Sequence, residues 1–171
     1  MEQIELKSKI LIAQINELTD EEQALVHQAI TSTDGSYAPY SHFRVGATVY
    51  LSNGRTVVGC NQENVSYPAG ICAERTAIYA AGAQYPDTPV EMIAIAARGT
   101  DGLLLEEPIS PCGICRQTIV ELETRFHQPI RILLYGTKHI YIIKGIKELV
   151  PLGFTDFLGH LSCSDGQATL P

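Results

Sequence analysis

A chain of 171 residues, 45% of them hydrophobic, is of single-domain size and long enough to bury a substantial core. No apolar run reaches membrane-spanning length, and 19 acidic against 12 basic residues give a net charge of −7 with no Lys/Arg cluster, so neither a membrane span nor a nucleic-acid surface is expected. The opening MEQIELKSKI lacks the pattern of a secretory signal; a cytoplasmic protein is expected, in which Asn64-Val65-Ser66 carries no glycosylation meaning and the five cysteines point to metal or redox chemistry rather than disulfides.

The first 18 residues alternate weakly, with Ile4 and Leu6 and then Ile10 and Ile12, a pattern that fits either an edge strand or an arm laid on a neighbouring subunit. Thr19 followed by Glu22 has the form of a capping box, so a helix is expected over about residues 20–33, with Leu25, Ala29 and Ile30 facing inward. GSYAPYS reads as a loop. FRVGATVYL and RTVVGCN flank Ser52-Asn53-Gly54, and Asn-Gly between apolar runs predicts a β-hairpin. After a loop containing Pro68 and Gly70, AGICAERTAI opens a second helix that ends near Gly82. VEMIAIAA, apolar at nearly every position, predicts a buried strand. A loop to Ser110 leads to a third helix over about 112–126, whose inner stripe is Cys115, Ile119, Leu122 and Phe126. IRILLYG and IYIIKG follow as two strands too close in sequence for a crossover.

The order α-β-β-α-β-α-β-β predicts an α/β fold, a five-stranded mixed sheet with helices on both faces. Its third and fourth strands, joined through a helix, are expected to be parallel, and its last two to form an antiparallel hairpin. The expected division is an N-terminal arm over 1–18, one domain over 19–161 and a tail over 162–171.

Two stretches carry chemistry, AGICAERTAI and SPCGICRQ. Cys112 and Cys115 are separated by the two-residue gap that lets both sulfurs reach one ion. Cys72 and this pair both fall where helices start, and there free amides and the helix dipole stabilise a thiolate by about 0.3–1 kcal/mol. Three thiolates would hold one zinc ion per subunit and leave a fourth position for water, the catalytic rather than the structural pattern. Taken singly, Cys112 and Cys115 also read as a structural half-site or a redox pair, and Cys72 as a small buried hydrophobe. Taken jointly, Cys72-Ala73-Glu74 followed by Pro111-Cys112-Gly113-Ile114-Cys115 has the form of the zinc-deaminase signature, H-x-E then P-C-x-x-C, in its three-cysteine version. Glu74 is then the candidate proton shuttle. Three thiolates around Zn²⁺ leave one negative charge in excess, which assigns Arg75 a role: its guanidinium donates to the sulfurs and drains that charge. The alternative for Arg75 is a solvent ion pair worth about 0–1 kcal/mol.

From Ser36 to about Leu158 the chain resembles the cytidine deaminases that act on free nucleosides. APYSHFRVGA, GCNQENVSYPAGICAERTAI, ISPCGICRQ and ELVPLGF are each similar to stretches of that family, in the family's order. The resemblance implies a three-layer α/β/α sandwich assembled as a homotetramer, with active sites at subunit interfaces. It implies that Asn61 and Glu63 bind ribose hydroxyls and that Phe43 packs against the base. Backbone groups near Ala73 and Ser110 would contact the polar edge of the pyrimidine, and Tyr67 and Phe154 would reach into a neighbouring subunit's site. The substrates implied are cytidine and 2′-deoxycytidine, in pyrimidine salvage. Arg44 stands where the family commonly has proline, Val65-Ser66 varies the ribose loop, and residues 1–18 and the tail after Leu161 have no counterpart in it.

Rival readings make different demands. A deaminase of RNA or DNA bases needs contacts to flanking phosphates, which the acidic balance and the final hairpin oppose. A nucleoside-antibiotic deaminase of the blasticidin type shares the three-cysteine site, but the Asn61-x-Glu63-Asn64 run argues for an ordinary nucleoside. A non-catalytic zinc module requires a fourth protein ligand, from Cys60 or a histidine, and a redox protein would use Cys112 and Cys115 without a tightly held metal. Cys60 otherwise reads as core, Cys163 as a free thiol in the tail, and His42 as a hydrogen-bonder in its loop.

Overall fold

The computed structural model describes residues 1–155, with strands β1 (Ile10–Ala13), β2 (Arg44–Leu51), β3 (Thr56–Cys60), β4 (Val90–Arg98), β5 (Arg131–Tyr135) and β6 (Ile140–Lys144). Between them lie helices α1 (Asp20–Ser32), α2 (Ala73–Gln84) and α3 (Gly113–Phe126). The tail over 162–171, the domain limit at 161 and Cys163 lie outside the described residues.

Local chemistry explains where these elements begin and turn. Thr19 Oγ1 accepts from the Glu22 amide at 3.2 Å while Glu22 Oε2 accepts from the Thr19 amide at 2.9 Å, the reciprocal pair that starts α1. Glu22 is buried, and its other carboxylate oxygen pairs with Arg131 of β5, tying the helix start to the sheet. At the β2–β3 hairpin Gly54 takes a φ of 78°, the left-handed conformation that a turn of this kind asks of glycine.

The strands form one mixed sheet in the order β1-β6-β5-β4-β2-β3. Strands β4 and β5 are parallel, Met92 opposite Arg131 through Ile95 opposite Leu134, while β5 and β6 form the expected antiparallel hairpin. The expected five strands are corrected to six, because Ile10–Ala13 pairs antiparallel with β6, from Ile10 opposite Ile143 to Ala13 opposite Ile140. The N-terminal segment therefore contributes an edge strand. Its three leading residues are exposed on both faces, so the backbone ladder places it and no buried side-chain period announces it in the sequence.

The sheet is the middle of three layers. Met92, Ala94 and Ala96 of β4 pack with Leu25, Val26 and Ala29 of α1. The alternate residues Ile93 and Ile95 pack on the opposite face with Ala77 and Ile78 of α2 and Ile119 of α3. This explains the unbroken apolar run in VEMIAIAA: both faces of β4 are covered, and successive side chains point to opposite sides. Fully buried side chains of this size each contribute about 1.5–3 kcal/mol. Gly59 of β3 sets the depth of α2, since a Cβ there would lie 2.4 Å from the Ala77 amide nitrogen and 2.6 Å from the Ala73 carbonyl oxygen. Among the described residues no helix is long and apolar enough to cross a membrane.

Candidate active site

Helix α2 joins β3 to β4, and α3 joins β4 to β5. Both pairs run parallel, so both helices are crossovers, and both begin at the carboxyl ends of the strands they follow. In open α/β sheets this is the edge where ligands bind. Cys72 is the N-cap of α2 and Cys112 the N-cap of α3, each with an extended backbone and no side-chain cap hydrogen bond, so both sulfurs are free to ligate. Cys115 is the third residue of α3, in its first turn, and is fully buried.

The topology brings the three sulfurs together. Cys72 Sγ and Cys112 Sγ are 3.8 Å apart, Cys112 Sγ and Cys115 Sγ 3.5 Å, and all three lie within 4.8 Å of one another. A tetrahedral zinc with thiolates at about 2.3 Å requires sulfurs about 3.8 Å apart, so the cluster fits that ion. Cys60 is not part of the cluster; its sulfur accepts from Gln62 Nε2 at 3.2 Å. Among the described residues no fourth His, Cys, Asp or Glu joins the three sulfurs.

The electrostatics follow from this crowding. The Cys72 thiol is lowered to about 5, first by a hydrogen bond from Cys115 and further by Arg75, whose Nη2 lies 3.8 Å from the sulfur. Cys115 is correspondingly pushed up, first by its hydrogen bond to Cys72 and then by burial. Arg75 Nε is buried with no hydrogen-bond partner among the described residues, which leaves a donor beside the sulfur cluster. Glu74, the second residue of α2, is 5% exposed; burial raises its carboxyl above the usual range, and the Cys72 charge adds to this. A carboxyl poised to gain and lose a proton beside a metal site is the requirement for a general acid–base.

The loops that precede α2 gather the other sequence-selected residues. Asn61 Oδ1 accepts from the Val45 amide at 2.8 Å and its Nδ2 donates to the Phe43 carbonyl at 2.9 Å, fixing the start of β2 and the backbone of Phe43. Glu63 Oε2 accepts from the amides of Tyr40 at 2.8 Å and Ser41 at 3.3 Å, and the Ser41 hydroxyl, followed by the Tyr40 amide, holds its carboxyl below the usual range. Between them the Gln62 amide donates to the Ile71 carbonyl at 2.9 Å, so this segment is tied to the residue before Cys72. His42 sits in this loop at a φ of 58°, its amide donating to the Ala38 carbonyl at 3.0 Å.

Tyr67 is 77% exposed and packs edge-on against Tyr40, with ring centroids 6.0 Å apart. Phe154 is 59% exposed, and its carbonyl accepts from Gln117 Nε2 at 2.7 Å. Ala73 is fully buried at the first position of α2, and Ser110 Oγ accepts from Arg116 Nη2 at 3.0 Å. Arg116 is a residue that the sequence reading passed over. It directly follows Cys115, so the argument that singled out Arg75, a cation beside a thiolate ligand, applied to it equally.

Two crossover helices that begin at one sheet edge, three converging sulfurs and a buried carboxylate beside them have the form of a metal-dependent catalytic site. Residues 19–127 match the family described as the cytidine and deoxycytidylate deaminase zinc-binding region, and the chain belongs to that family. Zinc is accordingly the metal that Cys72, Cys112 and Cys115 fit. The chain is 40% identical over 100 residues to the cytidine deaminase of Halalkalibacterium halodurans, covering 58% of this chain and 70% of the relative. It is 39% identical over 93 residues to that of Mycobacterium tuberculosis, covering 54% and 65%. The crystal structure of cytidine deaminase from Burkholderia pseudomallei superposes with a TM-score of 0.68 at 33% identity, over 80% of this chain and 100% of that one.

Proposed function

We propose that this enzyme hydrolyses the exocyclic amine of cytidine and 2′-deoxycytidine, releasing ammonia and forming uridine and 2′-deoxyuridine. The observation that carries the reading is the buried Glu74 two residues after a zinc-ligating cysteine whose sulfur converges with two others. The relatives named cytidine deaminase support it.

Zinc, when bound, supplies the acidification of water, from a pKa of about 16 toward about 7. The chain's own groups do the rest. The Glu74 carboxylate takes a proton from the attacking water and delivers it to the ring nitrogen next to the reacting carbon. That carbon becomes electrophilic and accepts the water oxygen. Glu74 then carries the second water proton to the amine as the C–N bond breaks, so water and nucleoside leave as ammonia and the keto product. Arg75, donating to Cys72, disperses the excess charge of three thiolates. Cys72, Cys112 and Cys115 are the ligands in this scheme.

Recognition is assigned to hydrogen bonding with the uncharged sugar and base. Asn61 has one N–H of its amide left after pairing with Phe43, and Glu63 keeps lone pairs beyond those given to Tyr40 and Ser41; both are assigned to ribose hydroxyls. Phe43 packs on the base, and backbone groups at Ala73 and Ser110 meet its polar edge. Tyr67 and Phe154, exposed in the single chain, are assigned to a neighbouring subunit's site in a cytoplasmic homotetramer that serves pyrimidine salvage.

Zinc analysis together with ammonia release from cytidine, 2′-deoxycytidine, free cytosine and an oligonucleotide tests the reading. One zinc per chain and turnover confined to the two nucleosides is expected. Equal activity on free cytosine would remove the ribose assignment, and inertness of the zinc-loaded protein toward both nucleosides would remove the function.

A further inference from the structure

The first turn of α3 holds a cation that the chemistry above does not employ. Each of three nitrogens of Arg116 donates to a different acceptor: Nε to the Pro111 carbonyl at 2.8 Å, Nη1 to the Leu149 carbonyl at 3.0 Å and Nη2 to Ser110 Oγ at 3.0 Å. Two of these acceptors lie in the turn that ends at the ligand Cys112. The third closes the 3-10 turn Ile146–Glu148, whose start is fastened to the same helix because Glu123 Oε1 accepts the Ile146 amide at 2.8 Å. One residue further on, Gln117 Nε2 donates to the Phe154 carbonyl at 2.7 Å.

We propose that Arg116 is a positioning residue for the deamination, holding the Ser110-Pro111 turn, and with it Cys112, in register with the C-terminal segment that carries Phe154. The proposal deepens the nucleoside-deaminase reading and rests on it. Its physical basis is that, among the described residues, the only other hydrogen bond to the backbone of 110–112 is the first bond of α3 itself, the Arg116 amide donating to the Cys112 carbonyl at 2.9 Å. The segment 110–112 belongs to no strand, and Pro111 has no N–H to donate. A planar fork with fixed donor directions orients three acceptors at once, whereas an ammonium is a compact point charge. Because Nη2 donates to Ser110 Oγ, that hydroxyl is held as an acceptor and its own proton is directed elsewhere, toward solvent or a bound pyrimidine.

The test is steady-state kinetics on cytidine, with the inhibition constant of uridine, zinc content and thermal melting, for Arg116→Lys and Ser110→Ala and for the two combined. Arg116→Lys keeps the charge but not the fork. It is expected to retain one zinc per chain, to raise KM and the uridine inhibition constant together, and to lower kcat/KM about 10- to 100-fold. Ser110→Ala is expected to have a smaller effect, and the double variant less than the product of the two, because both act through one turn. A folded, zinc-loaded Arg116→Lys with kcat and KM within about twofold of the parent overturns the proposal, as does a loss that merely tracks the unfolded fraction. Should this variant fail to fold, Arg116→Gln, uncharged and with two donors, carries the same comparison; failure of both to fold marks a purely structural residue and also overturns it. An inert parent sinks the activity itself and the assignment with it, whereas an active parent with indifferent variants sinks only the assignment.

Discussion

Glu74 is the residue on which the chemistry turns. It is buried within the first turn of a helix, where free amides steady a carboxylate, yet desolvation dominates and lifts its proton affinity. Glu74→Gln preserves shape and hydrogen bonding but cannot move a proton. Because the ligand cluster is made of sulfur alone, the variant is expected to keep its zinc while kcat falls about 10²–10⁴-fold. Metal analysis and initial-rate ammonia assays on the same sample check this, and a zinc-loaded variant turning over near the parent's rate would take the proton-shuttle role from Glu74. Residue identities at this scale were legible before the fold was seen, since Cys72, Glu74, Cys112 and Cys115 announce themselves by type and spacing. Arg116 carried the same signal as Arg75, a cation beside a thiolate ligand, but nothing in SPCGICRQ says that its guanidinium reaches Leu149, 33 residues away.

At the scale of elements, the two helix starts serve as metal-binding groups at the expense of their caps. Cysteine makes no capping hydrogen bond at either N-cap, whereas serine is among the residues that cap best, by about 0.5–2 kcal/mol. Cys72→Ser is therefore expected to lose the zinc and the activity while its metal-free form melts no lower than the metal-free parent. Calorimetry of the two apo proteins with zinc titration reads both effects. One zinc held per chain at parental affinity would show that Cys72 is not a ligand. The helices, their caps and the β2–β3 hairpin were readable from Thr19, Glu22 and Asn53-Gly54 because those signals are local. Strand β1 was not chosen over an arm, because with side chains exposed on both faces its place depends on the free edge of β6, which no local pattern encodes.

At the scale of the whole molecule, the exposed aromatic side chains of Tyr67 and Phe154 lie outside the two buried cores of the single chain. Sedimentation is expected to give four chains per particle. Phe154→Ala is expected to raise KM for cytidine with little change in the melting of the chain, since an exposed ring contributes little to its own fold. A monomer with full activity would refute the shared-site arrangement. The net charge of −7 offers no general field to attract a polyanion.

The sequence by itself determined the donor set, the carboxylate beside it, the helix starts that present them and the alternation that makes the sheet a middle layer, because each depends on residues within a few positions of one another. Only the tertiary structure decided that Cys72 and Cys112, 40 residues apart, lie 3.8 Å from each other, that β1 completes the sheet and that Arg116 bridges two distant segments. The sulfur contact depends on where the two crossover helices start, which is settled by the packing of α2 and α3 on one face of the sheet, and the place of β1 depends on the free edge of β6, rather than on any local run of residues.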